Sequence, residues 1–130
     1  MILRRWLPLL AWMGLIFYLS AQPDLPHPQS GWLSLAFSVG GHLVVYGVLA
    51  ILWMRVLGDD SRSYWLAFLL TMLYALSDEF HQAFVPGRSP DLWDLVSDAL
   101  GAAAGLLAWA WIRRPSERAG SRGEGTPEPR

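Results

Sequence analysis

Two long stretches without a formal charge decide what this chain can become. Eighteen uncharged residues separate Arg5 from Asp24, and 30 separate Asp24 from Arg55. A helix rises ~1.5 Å per residue, so about 17 to 25 residues cross the hydrocarbon of a bilayer, and both runs qualify. The second half is interrupted sooner, with 15 uncharged residues before Asp78 and 14 after Asp98. Neither of these crosses alone; extended over the flanking acids, they give two more helices of membrane length, each with carboxylates near one end. The pattern predicts an all-α integral membrane protein, a bundle of four transmembrane helices over about 6–20, 32–57, 64–85 and 92–112, within one transmembrane domain over 1–114. A cleaved signal peptide at the start would leave three spans, but Leu19-Ser20-Ala21 is a poor cleavage site.

The breakers fall between these helices: Gln22-Pro23-Asp24-Leu25-Pro26-His27-Pro28, then Gly58-Asp59-Asp60-Ser61, then Pro86-Gly87-Arg88-Ser89-Pro90. Such short connections predict antiparallel packing of neighbours. Only 16% of the chain is charged, and eight of its 21 charged residues lie between Arg113 and Arg130. The segment 115–130 has almost nothing apolar to bury and is expected to be a disordered cytoplasmic tail. A net charge of −1 with no basic face excludes a general nucleic-acid binder. Without cysteine there is no disulfide, thiol nucleophile or cysteine-ligated zinc.

Every basic residue is arginine, and their placement predicts orientation. Arg4, Arg5, Arg55, Arg62, Arg113, Arg114, Arg118, Arg122 and Arg130 fall on one side of the predicted bundle and only Arg88 on the other. Both termini are therefore expected in the cytoplasm, with the loops 22–31 and 86–91 outside. Trp6, Trp32, Trp53, Trp65, Trp93, Trp109 and Trp111 lie near the helix ends, where an interfacial aromatic belt would put them.

Ionisable residues inside a membrane cost about 2.5 to 3.5 kcal/mol each on insertion scales, so those present normally face the bundle interior or water. On the third helix Thr71, Tyr74, Asp78 and His81 recur at steps of three and four, with Gln82 and Glu79 beside them and Leu69, Leu73, Leu76 and Phe80 opposite. On the fourth, Asp94, Asp98, Gly101 and Gly105 share one face. Glycines at that spacing let another backbone come close, which would turn both aspartates inward. The second helix adds His42 and, one turn later, Tyr46. Counted from the helix ends, His42, Asp78, Glu79 and Asp98 lie in the outer half, beneath Arg88. They predict an outward-facing polar pocket, with Glu79, Asp98, His42 and His81 as candidate catalytic groups and Arg88, Gln82, Asp78, Asp94 and Tyr46 as candidate ligand contacts. The alternative is that the same groups tie helices together.

The run Leu73-Tyr74-Ala75-Leu76-Ser77-Asp78-Glu79-Phe80-His81-Gln82-Ala83-Phe84-Val85-Pro86-Gly87-Arg88, followed by Asp94, Asp98, Gly101 and Gly105, resembles the VanZ-like family of small bacterial membrane proteins. The resemblance extends to Ile16-Phe17-Tyr18-Leu19-Ser20 and to His42 with Tyr46, and covers roughly 10–110. Gly41 departs from it, standing where many relatives carry lysine. The resemblance implies a multi-pass protein of the bacterial cytoplasmic membrane, in a family whose founding member is associated with low-level teicoplanin resistance, and it supplies no reaction.

Three functions fit these readings. In the first, the pocket binds or modifies a lipid-linked cell-wall precursor or glycopeptide at the outer leaflet: Arg88 engages a phosphate or carboxylate, Glu79, Asp94 and Asp98 position a hydroxyl or a hard divalent ion, and His42 or His81 moves a proton. The second is a metal-assisted hydrolase or transferase on a lipid head group, for which no nucleophile and base pair stands out. The third is a structural or proton-relay role. No cofactor can be named and no metal site is assigned.

Overall fold

A computed structural model describes residues 2–23 and 31–114. The predicted disordered tail and most of the first predicted outer loop lie outside the described residues. Four helices follow one another: α1 (Ile2–Ser20), α2 (Gly31–Leu57), α3 (Ser61–Gln82) and α4 (Leu92–Ile112). The architecture is all-α, as predicted, and among the described residues α1, α2 and α4 are long and apolar enough to cross a membrane. α3 has similar length, but Asp78, Glu79 and His81 crowd its last turns and it does not reach the same apolar standard.

α1 starts four residues earlier than predicted, carrying Arg4 and Arg5 into the helix. Pro8 lies within it; the hydrogen bond it removes would have used the carbonyl of Arg4, at the exposed end of the helix. α3 opens on Asp60, whose carboxylate accepts the Ser63 N–H at 2.7 Å. Hydrogen bonds from Ser63 hold the Asp60 carboxyl below its usual range, so this cap is lost only as pH falls through that lowered value. α3 closes three residues before the predicted 85. Phe84 N–H turns back to His81 O at 3.0 Å and Val85 N–H to Gln82 O at 3.0 Å, tightening the chain ahead of Pro86 and Gly87. Gly87 takes a φ of 81°, which only glycine adopts freely.

The closest packing joins α2 to α4, which are not consecutive. The backbones of Leu43 and Gly47 lie directly on Gly101 and Gly105: a Cβ on Gly101 would strike the Leu43 carbonyl oxygen, and one on Gly105 the Gly47 carbonyl oxygen. Since 43 meets 101 and 47 meets 105, the two helices run in the same direction. α1 is tied on by Trp12 Nε1–H donating to Val45 O at 3.0 Å and by Tyr74 Oη–H donating to Met13 O. Leu69, Leu73, Leu76 and Phe80, the apolar side of α3, are exposed, as are Leu7, Leu10, Leu35, Val44, Leu100 and Leu107 on the other helices. An apolar surface of that extent belongs in lipid rather than water.

Candidate functional site

The α2 and α4 contact sets the register of the polar groups above it. His42 stands one residue before Leu43, and Asp94 and Asp98 occupy the same face of α4 as Gly101. The imidazole therefore falls between two carboxylates one helical turn apart. Its Nδ1 is 2.7 Å from Asp98 Oδ1 and its Nε2 is 3.6 Å from Asp94 Oδ2. Asp98 is only 1% exposed and fixes the ring from behind, whereas Asp94 is half-buried and borders open space. A carboxylate on one ring nitrogen sets which tautomer the other nitrogen presents.

Tyr46, one turn below and stacked at 6.1 Å between centroids, donates its hydroxyl to Asp78 Oδ2 at 3.3 Å. Gln82 Nε2 donates to the same oxygen, also at 3.3 Å. The other oxygen of Asp78 is buried with no hydrogen-bond partner among the described residues, and so is Ser20 Oγ on α1. An unpaired buried acceptor costs about 1 to 3 kcal/mol, and both atoms have hydrogen-bonding capacity left over at this wall.

They border a cavity of about 490 Å³. Ile16, Leu19, Phe37 and Val45 give it an apolar side; His42, Tyr46, Asp78, Gln82, Arg88 and Asp94 give it a polar one. Arg88 comes from the loop after α3, anchored by its backbone N–H donating to Val85 O at 3.1 Å. Among the described residues it makes no ion pair. That combination of an apolar wall, a few convergent polar groups and this volume is the usual make-up of a small-molecule site.

Six of the nine predicted site residues thus line one cavity, and Asp98 supports it from behind His42. Glu79 does not line it. Its Oε2 accepts the backbone N–H of Asp91 at 3.1 Å, so it caps the start of α4 from α3. His81 also lies apart, stacked on Phe17 at 4.3 Å between centroids, with Nδ1 buried and unpartnered among the described residues. Thr71 spends its hydroxyl on Ala67 O of its own helix at 2.7 Å. The prediction missed Ser34 and Ser38, which continue the His42 and Tyr46 face at steps of four and line the cavity. That spacing was the available signal. Among the described residues no three His, Asp or Glu side chains are grouped to hold a metal ion.

The fold and cavity define a small helical membrane protein with a polar chamber between its helices. The signature of the VanZ/LLP1 family matches residues 5–113, and the chain belongs to that family. No curated protein and no solved structure matches it.

Proposed function

We propose that the chain is a multi-pass protein of the bacterial cytoplasmic membrane that binds the polar part of a lipid-linked cell-envelope ligand in the His42 cavity. Consecutive helices alternate in direction, α3 crosses with the other three, and both termini lie in the cytoplasm, so the cavity opens outward. The observation that carries this reading is the pairing of an oriented imidazole with an arginine that has no carboxylate partner among the described residues, across a cavity of about 490 Å³. Arg88 offers a fork of donors to a phosphate or carboxylate, and the Ile16, Leu19 and Phe37 side offers an apolar bed to an attached chain. His42, held by Asp98, is the group placed to take or give a proton. Had the polar groups served only to bind helices together, Arg88 would be expected in a closed ion pair with one of the acids.

The absence of cysteine makes the outward opening directly testable. Ser38→Cys is expected to react with a membrane-impermeant maleimide added to intact cells, and Asp60→Cys only after the membrane is permeabilised. The reverse pattern would invert the proposed orientation. For the ligand, the chain is expected to raise the inhibitory concentration of teicoplanin in a susceptible host. Arg88→Ala and His42→Ala, at equal membrane abundance, should each abolish the increase. Full protection by both variants would remove the cavity from the function, and no protection by the wild-type chain would remove the glycopeptide link.

A relay reading keeps one observation in its favour: the Asp94, His42 and Asp98 row joins the cavity to the buried core of the bundle. Proton flux in liposomes that disappears with Asp98→Asn would favour it.

A further inference from the structure

A second, smaller cleft of about 230 Å³ lies at the other end of the bundle. Arg55 on its wall follows His42 by thirteen positions along α2, about 20 Å of helix. Arg5 of α1, Arg55 in the last turn of α2 and Arg113, the residue that closes α4, converge on it. Asp59 is the single carboxylate on the wall, so three guanidiniums against one carboxylate leave a net charge of +2.

That carboxylate is already engaged. Asp59 Oδ1 accepts the Tyr64 hydroxyl at 3.0 Å and the Trp109 indole N–H at 3.0 Å. Trp109, held in this way, carries Arg113 with its guanidinium carbon 4.5 Å above the ring centroid. No carboxylate among the described residues reaches ion-pair distance of Arg5, Arg55 or Arg113. A basic residue at the end of α2 or α4 is accounted for by the negative end of the helix dipole. Arg5 is not: it sits near the start of α1, where the dipole disfavours a cation, yet it joins the other two. Three such cations around one cleft, beside the Trp6 and Trp53 edge contact at 6.3 Å, lie where apolar helices end and head groups begin.

We infer that this cleft binds the phosphate of an anionic phospholipid head group, gripped by Arg5, Arg55 and Arg113, with Trp109 as the platform that presents Arg113. Guanidinium forks match phosphate oxygens, and basic clefts between helices are a recognised form of anionic-lipid site. The inference is independent of any ligand in the His42 cavity.

The test uses the full chain purified in detergent and offered phosphatidylglycerol, phosphatidylcholine or inorganic phosphate, with bound species read by native mass spectrometry. The wild-type chain should retain phosphatidylglycerol in preference to phosphatidylcholine. Each arginine lost should weaken that preference about fivefold, so the triple variant Arg5→Gln/Arg55→Gln/Arg113→Gln should lose about a hundredfold. Arg4→Gln/Arg62→Gln removes two charges from the same end but from outside the cleft, and should keep the preference. Equal losses in both sets would show diffuse attraction and overturn the site. Inorganic phosphate that displaces the lipid at equal concentration would make it a free-anion site and overturn the lipid assignment, as would no preference in the wild type. Should the triple variant fail to fold, Arg113→Gln alone decides, against Arg62→Gln.

Discussion

Alanine at both Gly101 and Gly105 will force α2 away from α4 and leave little folded protein in the membrane. Each added Cβ meets backbone, the carbonyl oxygens of Leu43 and Gly47, rather than the movable end of a side chain. Overpacking typically costs about 1 to 3 kcal/mol per site, more where nothing can shift. Two such clashes on one interface are set against a total stability of about 5 to 15 kcal/mol. Gly14→Ala is the control, because nothing lies within 4 Å of a Cβ there. It should unfold like the wild type or slightly later, as alanine favours helix over glycine by about 0.5 to 1 kcal/mol. Thermal unfolding in detergent reads the difference. A double variant as stable as Gly14→Ala would mean that α2 and α4 do not meet in this register.

Asp98→Leu is expected to cost both stability and the order of the His42 ring. Asp98 is 1% exposed, one oxygen bonded to His42 and the other without a partner among the described residues. Replacing both members of a buried pair by apolar groups is often neutral. Removing one partner leaves the other buried and unpaired and typically costs about 3 to 5 kcal/mol, less where the remaining group is neutral or borders open space. Leucine at this position strands the His42 Nδ1 and is therefore expected to lower the unfolding temperature, in part offset because His42 still borders the open cavity. His42 would meanwhile lose the acceptor on its Nδ1 and the tautomer that acceptor enforces. Imidazole nitrogen NMR should show the ordered Nδ1–H state in the wild type and a mixture of tautomers in Asp98→Leu. Any protection against teicoplanin should vanish as it does in His42→Ala. Asp98→Asn, whose amide oxygen can still accept from Nδ1, should keep the ordered ring. If Asp98→Leu keeps the ordered ring, or Asp98→Asn loses it, Asp98 is not a positioning residue for His42.

Much of this arrangement follows from helical periodicity alone. Asp94, Asp98, Gly101 and Gly105 share a face at any reasonable twist, and a face with two glycines is where another backbone can approach. The same arithmetic puts His42 and Tyr46 together, and Ser34 and Ser38 with them. Periodicity could not say which helix fills the glycine face. Gly47, the other half of the contact, lies in a stretch of α2 apolar on every side, where nothing singles it out. Nor could periodicity tell Glu79 from Asp78: adjacent on α3 and both buried, they diverge because the chain returns from the Pro86 turn with Asp91 N–H aimed at Glu79. The position of α4 relative to α3 decides that, and no local pattern encodes it. His81 shares the side of α3 that carries Asp78, but the shift to α1 and Phe17 again depends on a neighbour contributed from far along the chain.

The glycine contact also acts as a ruler. Gly47 follows His42 by five positions on one helix, and Gly101 and Gly105 follow Asp98 by three and seven on the other. One residue inserted inside either interval would turn His42 about 100° away from its carboxylates, since a helix makes a full turn in ~3.6 residues. Insertions beyond these intervals leave the imidazole where it is. A histidine four places ahead of the residue before a glycine, matched to an aspartate whose glycines follow at three and seven, is thus a spacing rule by which the same chamber can be sought in chains that otherwise share little sequence.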